Sequence, residues 1–154
     1  MHTKSILDIA FFFINKSHEE GSVITQLKLQ KLCYYAQAWR LALTGGTQLF
    51  AEDFEAWIHG PANYTLYSRY KRYGWGNINE KTTIDKNKFE SEEIDFLDDV
   101  WNKYGMFDAK VLENLTHLES PWIDARAGLS EYENSNNIIS KESMIEYYRS
   151  MLVG

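Results

Sequence analysis

Apolar residues recur at three- and four-residue intervals through Ile6, Ile9, Ala10, Phe13 and Ile14, which predicts a helix over about residues 4–16. The polar stretch SHEEGS, 17–22, ends it. Thr25 then offers an N-cap hydroxyl, with Ile24 placed to pack against Leu29, so a second helix is expected over about 26–43. That helix carries Leu29, Leu32, Cys33 and Ala36 on one side and Leu27, Tyr34, Ala38 and Leu41 on another. An element apolar on two sides belongs in the middle of a fold.

After the TGG stop at 44–46, Phe54, Ala56 and Ile58 alternate with Glu55 and Trp57 and predict a short strand, paired with the region of Leu49 or of Ile78 to Ile84. The run EAWIHGPANYTLYSRY, 55–70, then interrupts the apolar pattern with His59, Gly60 and Pro61. Proline is favoured in a first helical turn and glycine permits a sharp change of direction. The triplet is therefore expected to start a helix reaching about Tyr73, with Tyr64, Tyr67 and Tyr70 or Lys71 three or four apart and GWGN ending it. A turn explains the triplet structurally and leaves room for a surface role of His59.

Ser91, with Glu92 and Glu93 behind it, opens a helix to about Lys103 whose apolar face is Ile94, Leu97, Val100, Trp101 and Tyr104. Asp108 is placed to cap a helix carrying Val111, Leu112 and Leu115, and Ser120 with Pro121 to start a short one holding Trp122 and Ile123. Residues 128–140 read as a surface loop. A closing helix over 141–152 carries Met144, Ile145, Tyr148, Met151 and Leu152 on one face. The expected fold is mainly α, a compact multi-helix domain with a small β element, with residues 1–154 forming one domain.

Composition narrows the setting. A chain of 154 residues can bury roughly 68–70% of its unfolded surface, enough for a core without covalent staples. Cys33 is the one cysteine, so no internal disulfide is possible and a reducing, cytoplasmic setting is expected. The longest early apolar run, ILDIAFFFI at 6–14, contains Asp8 and falls short of the ~20 residues of a bilayer span. No membrane association is expected.

Charge is uneven. Residues 1–76 hold eight Lys/Arg against six Asp/Glu, and residues 77–154 hold eight against sixteen. That balance disfavours a general nucleic-acid binder, because phosphate contacts need concentrated positive charge. The one argument for DNA is the helix, turn, helix order around Gly21, with Lys28 and Lys31 on the second helix. A central helix apolar on two sides leaves little of itself for a groove.

Candidate chemistry is sparse. His59 and His117 stand in aromatic-rich surroundings, with Glu119 and Asp124 near the second. No nucleophile elbow or phosphate loop occurs, and Cys33 reads as a small core hydrophobe. Cys33, His59, His117 and Glu119 are too scattered for a structural zinc site. No catalytic residue, metal or cofactor is expected. THLESPW, 116–122, has a structural reading in which His117 fastens a helix end while Pro121 and Trp122 anchor the next element. It also has a second reading, as a polar knot beneath a binding face, since buried His117 and Glu119 would need partners.

ITQLKLQKLCYYAQAW at 24–39, LFAEDFEAWIHGP at 49–61, THLESPW and ISKESMIEYY at 139–148 together resemble the Panacea domain of SocA-like and GepA-like antitoxins and phage-associated proteins. The resemblance implies a compact, chiefly helical domain that counteracts a protein toxin, often by direct binding. The SocA type is instead described as an adaptor delivering its toxin to a bacterial protease, and a phage or mobile-element modulator of another host protein is a further alternative. It places fold-defining positions at Leu27, Leu29, Lys31, Leu32, Tyr34, Tyr35, Trp57, Gly60, Pro61, His117, Pro121 and Trp122, with Glu119 inside the same motif. Ala62 and Asn63 follow Gly-Pro where the family commonly has valine. The implied partner is a cognate protein toxin, and the segment just past the Gly-Pro turn supplies the candidate contacts: His59, Tyr64, Tyr67, Arg69 and Arg72.

Overall fold

The computed structural model describes residues 4–153. Helix α1 (Ile6–Glu19) runs three residues past its expected end, and Asp8 closes a capping box with Ser5 at its start. Strand β1 (Ile24–Thr25) leads into α2 (Gln26–Thr44), capped by the Thr25 hydroxyl, which accepts from the Lys28 N–H, and ended by Gly45 in the left-handed conformation. Every residue from Leu29 to Trp39 is buried. The central position read from the two apolar sides is the one observed.

Three polar side chains lie inside this buried stretch, and each ties the following segment to the helix. Gln37 donates to the Phe50 carbonyl at 2.7 Å and accepts from the Leu49 N–H at 2.8 Å. Gln30 makes the same two-bond clasp on Asn63, at 3.1 and 2.8 Å. Lys31 donates to the Pro61 carbonyl at 3.0 Å. Buried polar groups demand partners, and here the partners are backbone groups of the segment that follows, in loop at Leu49, Phe50 and Asn63 and in an edge strand at Pro61.

That segment forms β2 (Phe54–Trp57) and β3 (Gly60–Ala62), an antiparallel hairpin in which Ala56 faces Pro61 and Trp57 faces Gly60. The Gly-Pro pair is therefore strand, and the expected helix start is corrected. Residues before proline are held away from helical backbone, and β3 is an edge of the sheet, where a missing N–H is tolerated. Helix α3 (Tyr64–Tyr70) begins after it, capped by Asn63, whose side chain accepts from the Leu66 N–H. A short 3-10 turn over Lys71–Tyr73 extends it.

The strand pairing also differs from expectation. The second neighbour of β2 is β5 (Ile138–Ile139), drawn from the stretch read as loop, while β4 (Asn77–Ile78) pairs with β1. Arg126 explains how the loop is held. It is fully buried and donates to the carbonyls of Ala56 at 2.8 Å and Ser130 at 2.7 Å, and to that of Glu133. Its guanidinium also lies over the Trp122 ring.

Helix α4 (Ser91–Tyr104) opens with Glu90 and Glu93 as a capping box. It buries Leu97, Val100, Trp101 and Tyr104 as the pattern predicts. Next come α5 (Ala109–His117) and α6 (Ser120–Ala125), with Pro121 in the first turn of α6, and then α7 (Lys141–Val153), which packs along α2. Met144 and Tyr148 of α7 are buried, but Met151 and Leu152 are exposed. The expected single apolar face stops at Tyr148. The described residues form a mainly helical fold with two small antiparallel sheets.

A candidate partner-binding cleft

The turn between β2 and β3 is fixed from below. Gly60 has φ +100°, and a Cβ there would fall 2.7 Å from both Lys31 Cε and Thr116 Oγ1. Only glycine lets the turn settle so closely on these side chains. With the turn seated, α3 and the following Gly74–Trp75 segment stand across from the first turns of α2, and a cleft of about 220 Å³ opens between them. Leu27 and Lys31 of α2, Trp57 and His59 of the hairpin, and Tyr67 and Trp75 line it.

Aromatic edges order the cleft. Trp57 meets Tyr67 edge-on at 5.4 Å, His59 meets Trp75 at 5.2 Å, and Tyr64 stands 6.3 Å from Tyr67. Trp75 is 72% exposed and Tyr64 63%. Large rings left so open on a globular surface are good anchors for a partner.

His59 Nδ1 lies 3.1 Å from Glu113 Oε2, and Lys110 Nζ lies 3.4 Å from the same oxygen. Glu113 is buried; burial alone would raise its pKa, but the His59 contact and the charges of Lys110 and His117 hold it below the usual carboxylate range. Lys31 is buried without a carboxylate on its ammonium, and burial lowers its pKa to about 7, with Glu113 opposing the fall. Of these groups, Lys31 and His59 line the cleft.

The sequence-expected contacts separate. His59 and Tyr67 line the cleft and Tyr64 adjoins it. Arg69 and Arg72 do not line it, and Glu80 pairs with both. The exposed residue that sequence reasoning missed is Trp75. Its signal was there in GWGN: a tryptophan between two glycines has no neighbouring side chains to cover it.

The motif around His117 is a fastening. His117 stacks on Trp122 with centroids 4.1 Å apart, and Trp122 donates to the Trp57 carbonyl at 2.8 Å. Burial lowers the His117 pKa. Buried Glu119 accepts from Tyr35 at 2.8 Å and from Tyr148 at 2.7 Å. Tyr148 lies 3.1 Å from the Tyr34 hydroxyl, and Tyr35 stacks on Tyr104 at 4.1 Å. Burial raises the Glu119 pKa against the two tyrosine bonds, which lower it. Cys33 is buried, and burial raises its pKa, so the thiol is kept protonated.

The family model described as "Antitoxin SocA-like, Panacea domain" matches residues 29–123. The chain belongs to this family. The Panacea match runs from within α2 through most of α6 and so contains the hairpin, the cleft's aromatic residues and the Glu119 motif. The closing ISKESMIEYY stretch lies beyond it, although Tyr148 from that stretch completes the Glu119 network. No curated protein matches the chain, and no solved structure does. Among the described residues no helix is long and apolar enough to cross a membrane, and no three potential metal ligands gather.

Proposed function

We propose that this chain neutralises a cognate protein toxin by binding it directly in the cytoplasm, using the face made by the β2–β3 hairpin, α3 and Trp75. The observation that carries the reading is the exposed aromatic cluster, Tyr64, Tyr67 and Trp75, lying within the span matched by the SocA-like antitoxin family. The fold gives these rings a rigid base, since Lys31, Gln30 and Asn63 pin the hairpin and the start of α3 to the buried helix. An aromatic cluster on a fixed scaffold loses little conformational freedom on binding.

The test is co-expression with the product of the neighbouring gene. Rescue from a product that is toxic alone, with a complex recoverable at fixed stoichiometry, supports the reading. Failure of rescue across the encoded neighbours ends it. A toxin whose half-life collapses only when this chain and a protease are both present moves the mechanism to proteolytic delivery.

A further inference from the structure

The charge around the cleft narrows what can enter it. The arginines nearest the aromatic face share a single carboxylate, Glu80, which pairs with Arg69 and with Arg72 and leaves the trio one positive charge. Lys71, which lines the cleft, is exposed and has no ion pair among the described residues. Lys31, also lining it, is 1% exposed and its ammonium makes one hydrogen bond, to the Pro61 carbonyl. An ammonium has three donors. The carboxylate whose charge acts on it, Glu113, is taken by His59 and Lys110.

The cleft thus joins an aromatic lining to a buried amine with donors to spare, whose charged form a neighbouring carboxylate would favour, and to a lysine cation at its rim. A cationic occupant would face the two lysines, and a purely apolar one would cover the exposed Lys71 without compensation. We infer that the cleft is the seat for a segment of the partner protein that inserts an apolar side chain and sets an aspartate or glutamate beside it, against Lys31 and Lys71. The inference takes from the antitoxin reading only the identity of the partner; the chemistry of the cleft stands without it.

Two capped peptides test this in the absence of any toxin: acetyl-Gly-Phe-Asp-Gly-amide and its Asn counterpart, titrated into the full chain while the indole resonances of Trp57 and Trp75 are followed. The aspartyl peptide is expected to shift both resonances with an affinity about tenfold above that of the asparaginyl one. Lys71→Glu should abolish or reverse that preference, and Trp75→Ala should weaken both peptides. Lys31→Met, whose folding is checked by its thermal transition, should reduce the preference as well, and the surface variant Lys71→Glu keeps the test decisive if Lys31→Met does not fold.

Equal affinity of the two peptides, no binding by either, or shifts that persist unchanged in Lys71→Glu and Trp75→Ala would overturn the inference. Full toxin rescue by Lys71→Glu and Trp75→Ala would likewise remove the partner from this cleft while leaving the antitoxin reading in place. Loss of rescue for the unaltered chain with the peptide preference intact would strike only the identity of the partner.

Discussion

Two groups of aromatic rings, one packed on the buried helix α2 and one facing it across the cleft, have opposite fates. Around Glu119, the hydroxyls of Tyr35 and Tyr148 end on one carboxylate, Tyr148 reaches Tyr34, and Trp39 donates to Tyr104 at 2.7 Å. Around the hairpin, Tyr64, Tyr67 and Trp75 are exposed, and their polar tips have no hydrogen-bond partner among the described residues. Aromatic content alone does not mark an interface. In these two groups, the core rings have their polar ends satisfied inside the molecule and, among the described residues, the exposed tyrosines and Trp75 do not.

The strongest way to break this contrast is at the common acceptor. Glu119→Ala should leave buried hydroxyls unpaired and open a cavity, lowering stability by about 3–4 kcal/mol in urea unfolding. A loss below about 1 kcal/mol would show that the network does not hold the core. Glu119→Gln keeps an acceptor and sharpens the electrostatics. Because burial raises the Glu119 pKa in the folded state, its contribution to stability is full below the ordinary carboxylate range and lost as pH rises through the raised value. The Gln variant should lack that decline.

At the hairpin, Gly60→Ala meets both a positive φ and the side chains of Lys31 and Thr116. An expected loss of about 2–3 kcal/mol, read from the denaturation midpoint, would show that the cleft depends on this seating. Lys31 itself gives a pH signature of the opposite sign to Glu119. Its pKa falls from 10.5 to about 7 on burial, so the folded state binds fewer protons in that window and stability should rise with pH from about 7 upward. The slope is at most about 1.4 kcal/mol per pH unit, and Lys31→Met should flatten it.

The smallest stability changes belong to the exposed rings. Trp75→Ala should shift stability by no more than about 0.5 kcal/mol and Tyr67→Ala, which packs on Trp57, by about 1 kcal/mol. Each should weaken the toxin complex by about tenfold or more in a purified binding assay. A stability loss as large as that of Glu119→Ala would return these rings to the core and erase the contrast.

The helices were readable because their apolar spacing is local, and the central place of α2 followed from its two apolar sides. Strand partners were not, since β2 pairs with a strand that arrives some eighty residues later in the chain, Phe54 opposite Ile139, and nothing in either segment names the other. For Pro61 the sequence alone favours a helical first turn, a common place for proline. Asn63, a strong N-cap two residues later, was the competing signal. Gln30, Lys31 and Gln37 carry no periodic mark that separates a buried clasp from a solvated face. Of the expected contacts, His59 and Tyr67 line the cleft, whereas the Glu80 pairs that occupy Arg69 and Arg72 depend on tertiary proximity.

The bond from Tyr148 to Tyr34 joins residues 114 positions apart, and that distance sets a schedule for synthesis. A chain still emerging from the ribosome can wind α2 early, since helices form within microseconds, yet it cannot close the Glu119 network until α7 has been made. Long-range closure of this kind slows folding. Until it occurs, the apolar flank of α2 that α7 covers stays open to proteases and to association.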